Sequence, residues 1–209
     1  MFAPEPRGGS ARRSGFRLGA GAVALVALLF AGAAYAADAS MRERVRACTA
    51  CHGEANIEIA DGYVPRIRGK PAGYLFNQLM NYHQNRRHHD TMNRLVRNLS
   101  AGYLSDIAEY FAAQKAPYPE PAPPPTDPQL RARGAELINR GDPAADIPAC
   151  RSCHGERLTG VLPATPGLIG LPQHYISAQL NNWQLDQRQA AAPDCMATIA
   201  DRMAPRDIQ

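Results

Sequence analysis

Two hexapeptides hold the residues best suited to chemistry. "CTACHG" spans residues 48–53 and "CRSCHG" spans 150–155. Each places two thiols three positions apart, with an imidazole directly after the second. Three uses compete for this arrangement. A zinc site takes four ligands, usually from C-x-x-C pairs about 15–20 residues apart, but here the pairs are offset by 102 residues. A thioredoxin-like redox pair needs a βαβ setting, and no stretch of this chain alternates as a strand does. The third use is attachment of a c-type haem, in which both thiols form thioethers and the adjacent histidine turns to the iron. Two copies favour this use. Cys48, Cys51, Cys150 and Cys153 are then the thioether positions of two haem c groups. His52 and His154 are the iron ligands on one face.

The elements that must position these groups also come in duplicate. Pro65, Gly69, Pro71, Tyr74, Gln78 and Leu79 recur as Pro166, Gly170, Pro172, Tyr175, Gln179 and Leu180, each at an offset of 101. Tyr82 maps onto Trp183 and Arg87 onto Arg188. Such matching marks an internal repeat. "AGYLFNQLMNYHQN" and "QHYISAQLNNWQLD" place apolar residues at helical spacing. "LSAGYLSDIAEYFAAQ" adds a helix with Ser100 as its N-cap. Between the repeats, "APYPEPAPPPTDPQ" (116–129) sustains neither helix nor central strand and reads as a semi-rigid polyproline spacer. The expected boundaries are domain one at 38–115, a proline-rich linker at 116–125 and domain two at 126–209. Each domain has about 80 residues, too few for a large core, and a haem gives the helices an apolar body to pack around. Cys195, the fifth cysteine, is read as a small buried residue. A reactive thiol or an intermolecular disulfide is the alternative.

The second axial ligand separates an electron carrier from an enzyme. An open iron face does chemistry on small molecules, whereas a methionine closes it and raises the potential. Domain one offers Met80, His83, His88, His89 and Met92. Met80 is placed in the core and His83 toward solvent. His88 and His89 fall in the polar run "QNRRHHD", from which either could bind iron. Met92 and Met196 form a matched pair at an offset of 104, each seven residues before an apolar residue, Leu99 and Met203. They are the favoured ligands.

With these residues in place, the chain resembles the two-domain dihaem class I cytochromes c of the cytochrome c4 type. The resemblance rests on C-x-x-C-H-G, then P-x-x-x-G-x-P-x-x-Y-x-x-x-Q-L, then an arginine, then a methionine seven before "LS", and it covers nearly all of residues 40–209. It implies an all-α fold of two tandem cytochrome c-like domains, each a few helices around one covalently bound haem. It also implies His/Met ligation of both irons, and domains packed with their haem edges close. Pro65 and Pro166 match the family proline whose carbonyl accepts the proximal histidine's ring N–H. Arg87 and Arg188 either pair with haem propionates or are solvated surface charges. One departure stands out: "YLSDIAEYFAAQ" closes domain one, whereas domain two stops at "APRDIQ", so its matching C-terminal helix is read as missing.

Residues 1–36 read as an export signal: Arg12, Arg13 and Arg17, an apolar run, then "AYA" at 34–36. An uncleaved membrane anchor is the alternative, and would give membrane association through that segment. Either places the remainder in the periplasm. The net charge of +4 comes largely from the four arginines and one glutamate of this segment, so nothing favours a nucleic-acid partner. The expected function is electron transport between a redox protein donor and a respiratory complex or oxidase. The rivals are a cytochrome subunit of a dehydrogenase or oxidase complex and, further off, a dihaem peroxidase. The mature chain is expected to show two haems per polypeptide by alkaline pyridine spectroscopy, and acid acetone should extract neither.

Overall fold

The computed structural model describes residues 41–53, 58–59, 62–121 and 123–208. The export segment lies outside them. The chain divides into two compact units, Met1–Arg44 and Val45–Gln209. Of the first, only 41–44 are described, and they are helical. Both repeats lie in the second unit.

The first repeat runs α1 (Arg46–His52), a β1–β2 hairpin (Glu58–Ile59, Gly62–Tyr63), α2 (Ala72–His83), α3 (Asp90–Val96) and α4 (Ala101–Ala113). Ser100 caps α4 as expected, its Oγ accepting from Tyr103 N at 3.2 Å. The main helix pairing of this repeat is α4 along α2. Leu104, Ile107, Ala108 and Phe111 are buried on α4, and Leu75 and Tyr82 on α2. Burying each large side chain among these contributes about 1.5–3 kcal/mol.

The second repeat runs α5 (Pro128–Asn139), α6 (Cys150–His154), a β3–β4 hairpin (Gly160–Val161, Thr165–Pro166), α7 (Gln173–Gln184), α8 (Cys195–Arg202) and α9 (Pro205–Ile208). Asp127 caps α5 at 2.7 Å, with Pro128 in the first turn. Pro205 opens α9, a position where its missing N–H costs nothing. Arg133 on α5 holds α9 through Asp207 (2.9 and 2.8 Å) and also reaches Asp142 (2.6 Å). Ile208, at the end of α9, is buried.

The fold is helical, as the sequence reading required, with two small antiparallel hairpins inside the loops. Their strands are two residues long, too short for alternation to register as a pattern.

The repeats meet about a pseudo-twofold. At its centre the chain segments around Arg87 and Arg188 pair antiparallel. Gln189 N donates to Arg86 O at 2.6 Å and His88 N to Gln187 O at 3.1 Å. Each hairpin then packs on the start of the other repeat's main helix. Tyr63 meets Tyr175 edge-on with ring centres 5.0 Å apart, and His174 at 6.4 Å. Reciprocally, Gly73 N donates to Pro163 O at 3.1 Å. The linker joins this packing rather than spanning free space. Tyr118 donates its hydroxyl to Thr159 O at 2.6 Å, and Pro119 O lies against Gly170. Gly69 and Gly170 both take positive φ, 69° and 74°, which explains their matched occurrence.

A Cβ on Gly73 would stand 2.8 Å from Pro163 O. Gly73→Val should therefore force the hairpin off α2. Overpacking of this kind costs about 1–3 kcal/mol, which lowers Tm by several degrees at about 2–4 °C per kcal/mol for a unit of this size. A wild-type Tm would show that the hairpin contact does not hold the repeats together.

Candidate haem sites and the seam between them

Both C-x-x-C-H segments fold as short helices, so each pair of cysteines falls on one helical face at i and i+3. Cys51 and Cys153 are exposed, while Cys48 and Cys150 are partly covered. Burial pushes the Cys48 and Cys150 thiols above the ordinary cysteine range. Cys150 Sγ also donates to Leu137 O at 3.5 Å.

The two histidines make the same bond. His52 Nδ1 lies 2.8 Å from Pro65 O, and His154 Nδ1 lies 2.8 Å from Pro166 O. A carbonyl only accepts, so Nδ1–H is the donor and Nε2 keeps its lone pair for a metal. Burial lowers the His52 pKa, with the Pro65 bond opposing and His89 adding to the fall. The ring is therefore held neutral, as a ligand must be.

The methionines lie on separate elements. Met92 is in the first turn of α3 and Met196 in the first turn of α8. His89 caps α3, its Nδ1 accepting from Met92 N at 3.5 Å, and Asp194 caps α8 through Ala197 N at 3.2 Å. The 104-residue offset of the methionines has a structural counterpart. His83 donates to Val96 O at 3.0 Å, and Gln184, its match in the second repeat, donates to Ala200 O at 2.8 Å. Each thus ties the end of a main helix to the helix bearing a methionine. His83 was expected to face solvent; this bond places it against α3 instead. Asn93 braces the same region in repeat one, donating to Tyr82 O (2.7 Å) and Arg87 O (3.0 Å). In repeat two, Asp194 accepts from Ala190 N (2.6 Å) and Trp183 Nε1 (3.3 Å). Neither brace was legible in the sequence: the two residues lie 101 apart, but Asn93 sits inside its helix and Asp194 caps one, and their partners differ. His88 and His89 are exposed, as the polar run implied. Cys195, read as buried, is exposed at the start of α8.

The arginines settle one open question. Arg87 and Arg188 are 8% and 7% exposed, so neither is a solvated surface charge. Arg87 donates to Gln78 Oε1 and Gln179 Oε1, both at 2.7 Å, and lies 3.4 Å from the Tyr175 hydroxyl. Arg188 donates to Gln179 Oε1 at 2.7 Å and Gln78 Oε1 at 3.3 Å. Each glutamine thus accepts from both arginines across the seam. Arg87 stacks over Tyr82 (4.8 Å) and Arg188 over Trp183 (3.8 Å). Among the described residues no carboxylate pairs with either guanidinium. Burial, then Arg87, pulls the Arg188 pKa down. For Tyr74, desolvation pushes the other way but the Arg188 and Arg87 charges win, and its pKa falls. The seam is electropositive and suits an anionic cofactor edge. Together with two imidazoles whose Nδ1 is held by a carbonyl and two pairs of thiols, it fits a haem in each repeat.

No family model matches the chain. Relatives do. A "thiosulfate dehydrogenase electron acceptor" from Thiomonas intermedia (strain K12) is 36% identical over 189 residues, 90% of this chain and 85% of the relative. "Cytochrome c4" from Pseudomonas aeruginosa is 32% identical over 188 residues, 88% of this chain and 90% of the relative. Among solved structures, reduced cytochrome c4 from Pseudomonas stutzeri superposes with a TM-score of 0.66 at 27% identity, covering 82% of this chain and 93% of that one. A thiosulfate dehydrogenase from Marichromatium purpuratum superposes with a TM-score of 0.65 at 28% identity, over 77% of this chain and 34% of that one. Fold and relatives together define a dihaem class I c-type cytochrome, an electron carrier with two haem c groups. The chain belongs to the cytochrome c4 family.

Proposed function

We propose that this chain works in the periplasm, taking electrons from a thiosulfate-oxidising dehydrogenase and passing them to a respiratory complex or oxidase. The matched His–Pro carbonyl bonds, 2.8 Å in each repeat, carry the haem assignment. The choice of donor follows the Thiomonas relative's name and coverage. The periplasmic setting rests on the export segment. Among the described residues, no helix is long and apolar enough to cross a membrane.

In this reading Cys48 and Cys51 tether one haem, and Cys150 and Cys153 the other. His52 and Met92 ligate the first iron, and His154 and Met196 the second. Each haem, once bound, supplies a one-electron iron couple whose potential a thioether ligand raises. The chain's own groups set the conditions. Pro65 and Pro166 fix the imidazole planes and strengthen the ligands. Asn93 and Asp194 hold the helices that carry the methionines. Arg87 and Arg188 are the residues that would hold the carboxylates of a bound haem, on a cationic seam that both repeats build. With a histidine and a methionine offered to each iron, no face would be left for substrate, which favours transport of electrons over peroxidase chemistry.

Oxidised protein should show the near-infrared band of methionine-ligated ferric haem. Met92→Ala and Met196→Ala should each remove about half its intensity, and the double variant all of it; an unchanged band in either single variant would rule out that ligand. Mixing the oxidised protein with a thiosulfate dehydrogenase and thiosulfate should reduce both haems in a stopped-flow trace. Haems that respond to dithionite but not to this mixture would exclude the proposed donor.

A further inference from the structure

The two helices that carry the methionines differ where they meet solvent. At the offset of 104 that matches Met92 to Met196, Arg94 maps onto Thr198, Leu95 onto Ile199 and Arg97 onto Asp201. Two cations in the first repeat thus stand where the second has a hydroxyl and a carboxylate. The repeat fold therefore requires neither arginine.

Arg94 and Arg97 are exposed, and their guanidinium groups have no ion pair or hydrogen bond among the described residues. Asp90, the one carboxylate on α3, pairs with neither. His88 and His89, exposed at the start of the same helix, add no negative charge. On α8, by contrast, Arg202 is held by Asp146, through its carboxylate at 2.8 Å and its backbone carbonyl at 2.7 Å. The arginine of α8 is satisfied within the chain, whereas those of α3 face solvent. Between them Leu95 is 44% exposed, while Ile199 at the matching position is half-buried. Leu95 follows Met92 by three residues, which makes the two neighbours on the helix surface. An exposed apolar side chain flanked by free guanidinium groups has the make-up of a small interface, with an apolar centre and a charged rim that sets orientation. Guanidinium forks match carboxylates in particular.

We infer that the exposed face formed by Arg94, Leu95 and Arg97 docks an acidic redox protein, which exchanges electrons with the first haem. The inference rests on the electron-carrier reading, with Met92 at the first iron, and not on which protein donates. Opposite charges would steer the encounter, and Leu95 would seal the contact beside Met92.

Reduced flavodoxin, an acidic flavoprotein, is the probe, mixed with oxidised holoprotein in a stopped-flow cell at several sodium chloride concentrations. The flavin is oxidised by one electron as a ferric haem is reduced. The wild-type rate should fall as salt rises. Arg94→Glu with Arg97→Glu should slow reduction at low salt by about tenfold or more and remove most of the salt dependence, the range expected of electrostatic steering. Its near-infrared methionine band should match the wild type, which separates lost docking from lost ligation. Arg94→Gln with Arg97→Gln is the second pair should the charge reversal impair folding. Arg131→Glu with Arg140→Glu, both exposed and belonging to the second repeat, makes the same change in net charge and should slow reduction far less. Equal slowing by the two reversed pairs would mark a net-charge effect and overturn the proposal. So would a wild-type rate that ignores salt. A thiosulfate dehydrogenase that fails to reduce the protein, with the flavodoxin result intact, would remove the proposed donor and leave the docking face standing.

Discussion

Two like charges brought together out of water govern this architecture. Arg87 and Arg188 lie at the pseudo-twofold between the repeats, almost fully covered and without a carboxylate among the described residues. Guanidinium groups stay protonated under all ordinary conditions. Their mutual repulsion must therefore be met by neighbours rather than relieved by losing a proton. Gln78 and Gln179 supply carbonyl oxygens, each shared by both arginines, and Tyr82 and Trp183 supply ring faces. These partners are neutral, so the seam stays positive. That field favours the extra electron on any iron nearby and suits a cofactor that ends in carboxylates. One arrangement thus joins the repeats and leaves a positive seam that would suit such a cofactor.

The duplication is faithful where chemistry demands it and loose elsewhere. The histidine–carbonyl bond is the same in both halves because imidazole orientation tolerates little error. The braces around the methionines differ, Asn93 in one repeat and Asp194 in the other, because several side chains can hold a loop equally well. The contacts across the seam differ too. Gly73 admits a carbonyl from the opposite hairpin, while its counterpart His174 leans on Tyr63. Such substitutions give each half its own environment.

The sequence alone determined the residues that make bonds. Cysteine and histidine spacing is a local property, fixed by a few consecutive residues, so the attachment motifs could be read without knowing the fold. The repeat was equally visible, because the 101-residue offset preserves residue type at the turns and helix faces. The helix start at Ser100 followed from capping chemistry. The tertiary structure decided what those residues meet. Polarity places an arginine outside by default, and only the pairing of two repeats reveals that Arg87 and Arg188 are inside. The proline-rich segment reads as a spacer from composition, yet Tyr118 fastens it to Thr159. In each case the deciding contact joins residues far apart in sequence, and no local pattern encodes such a contact.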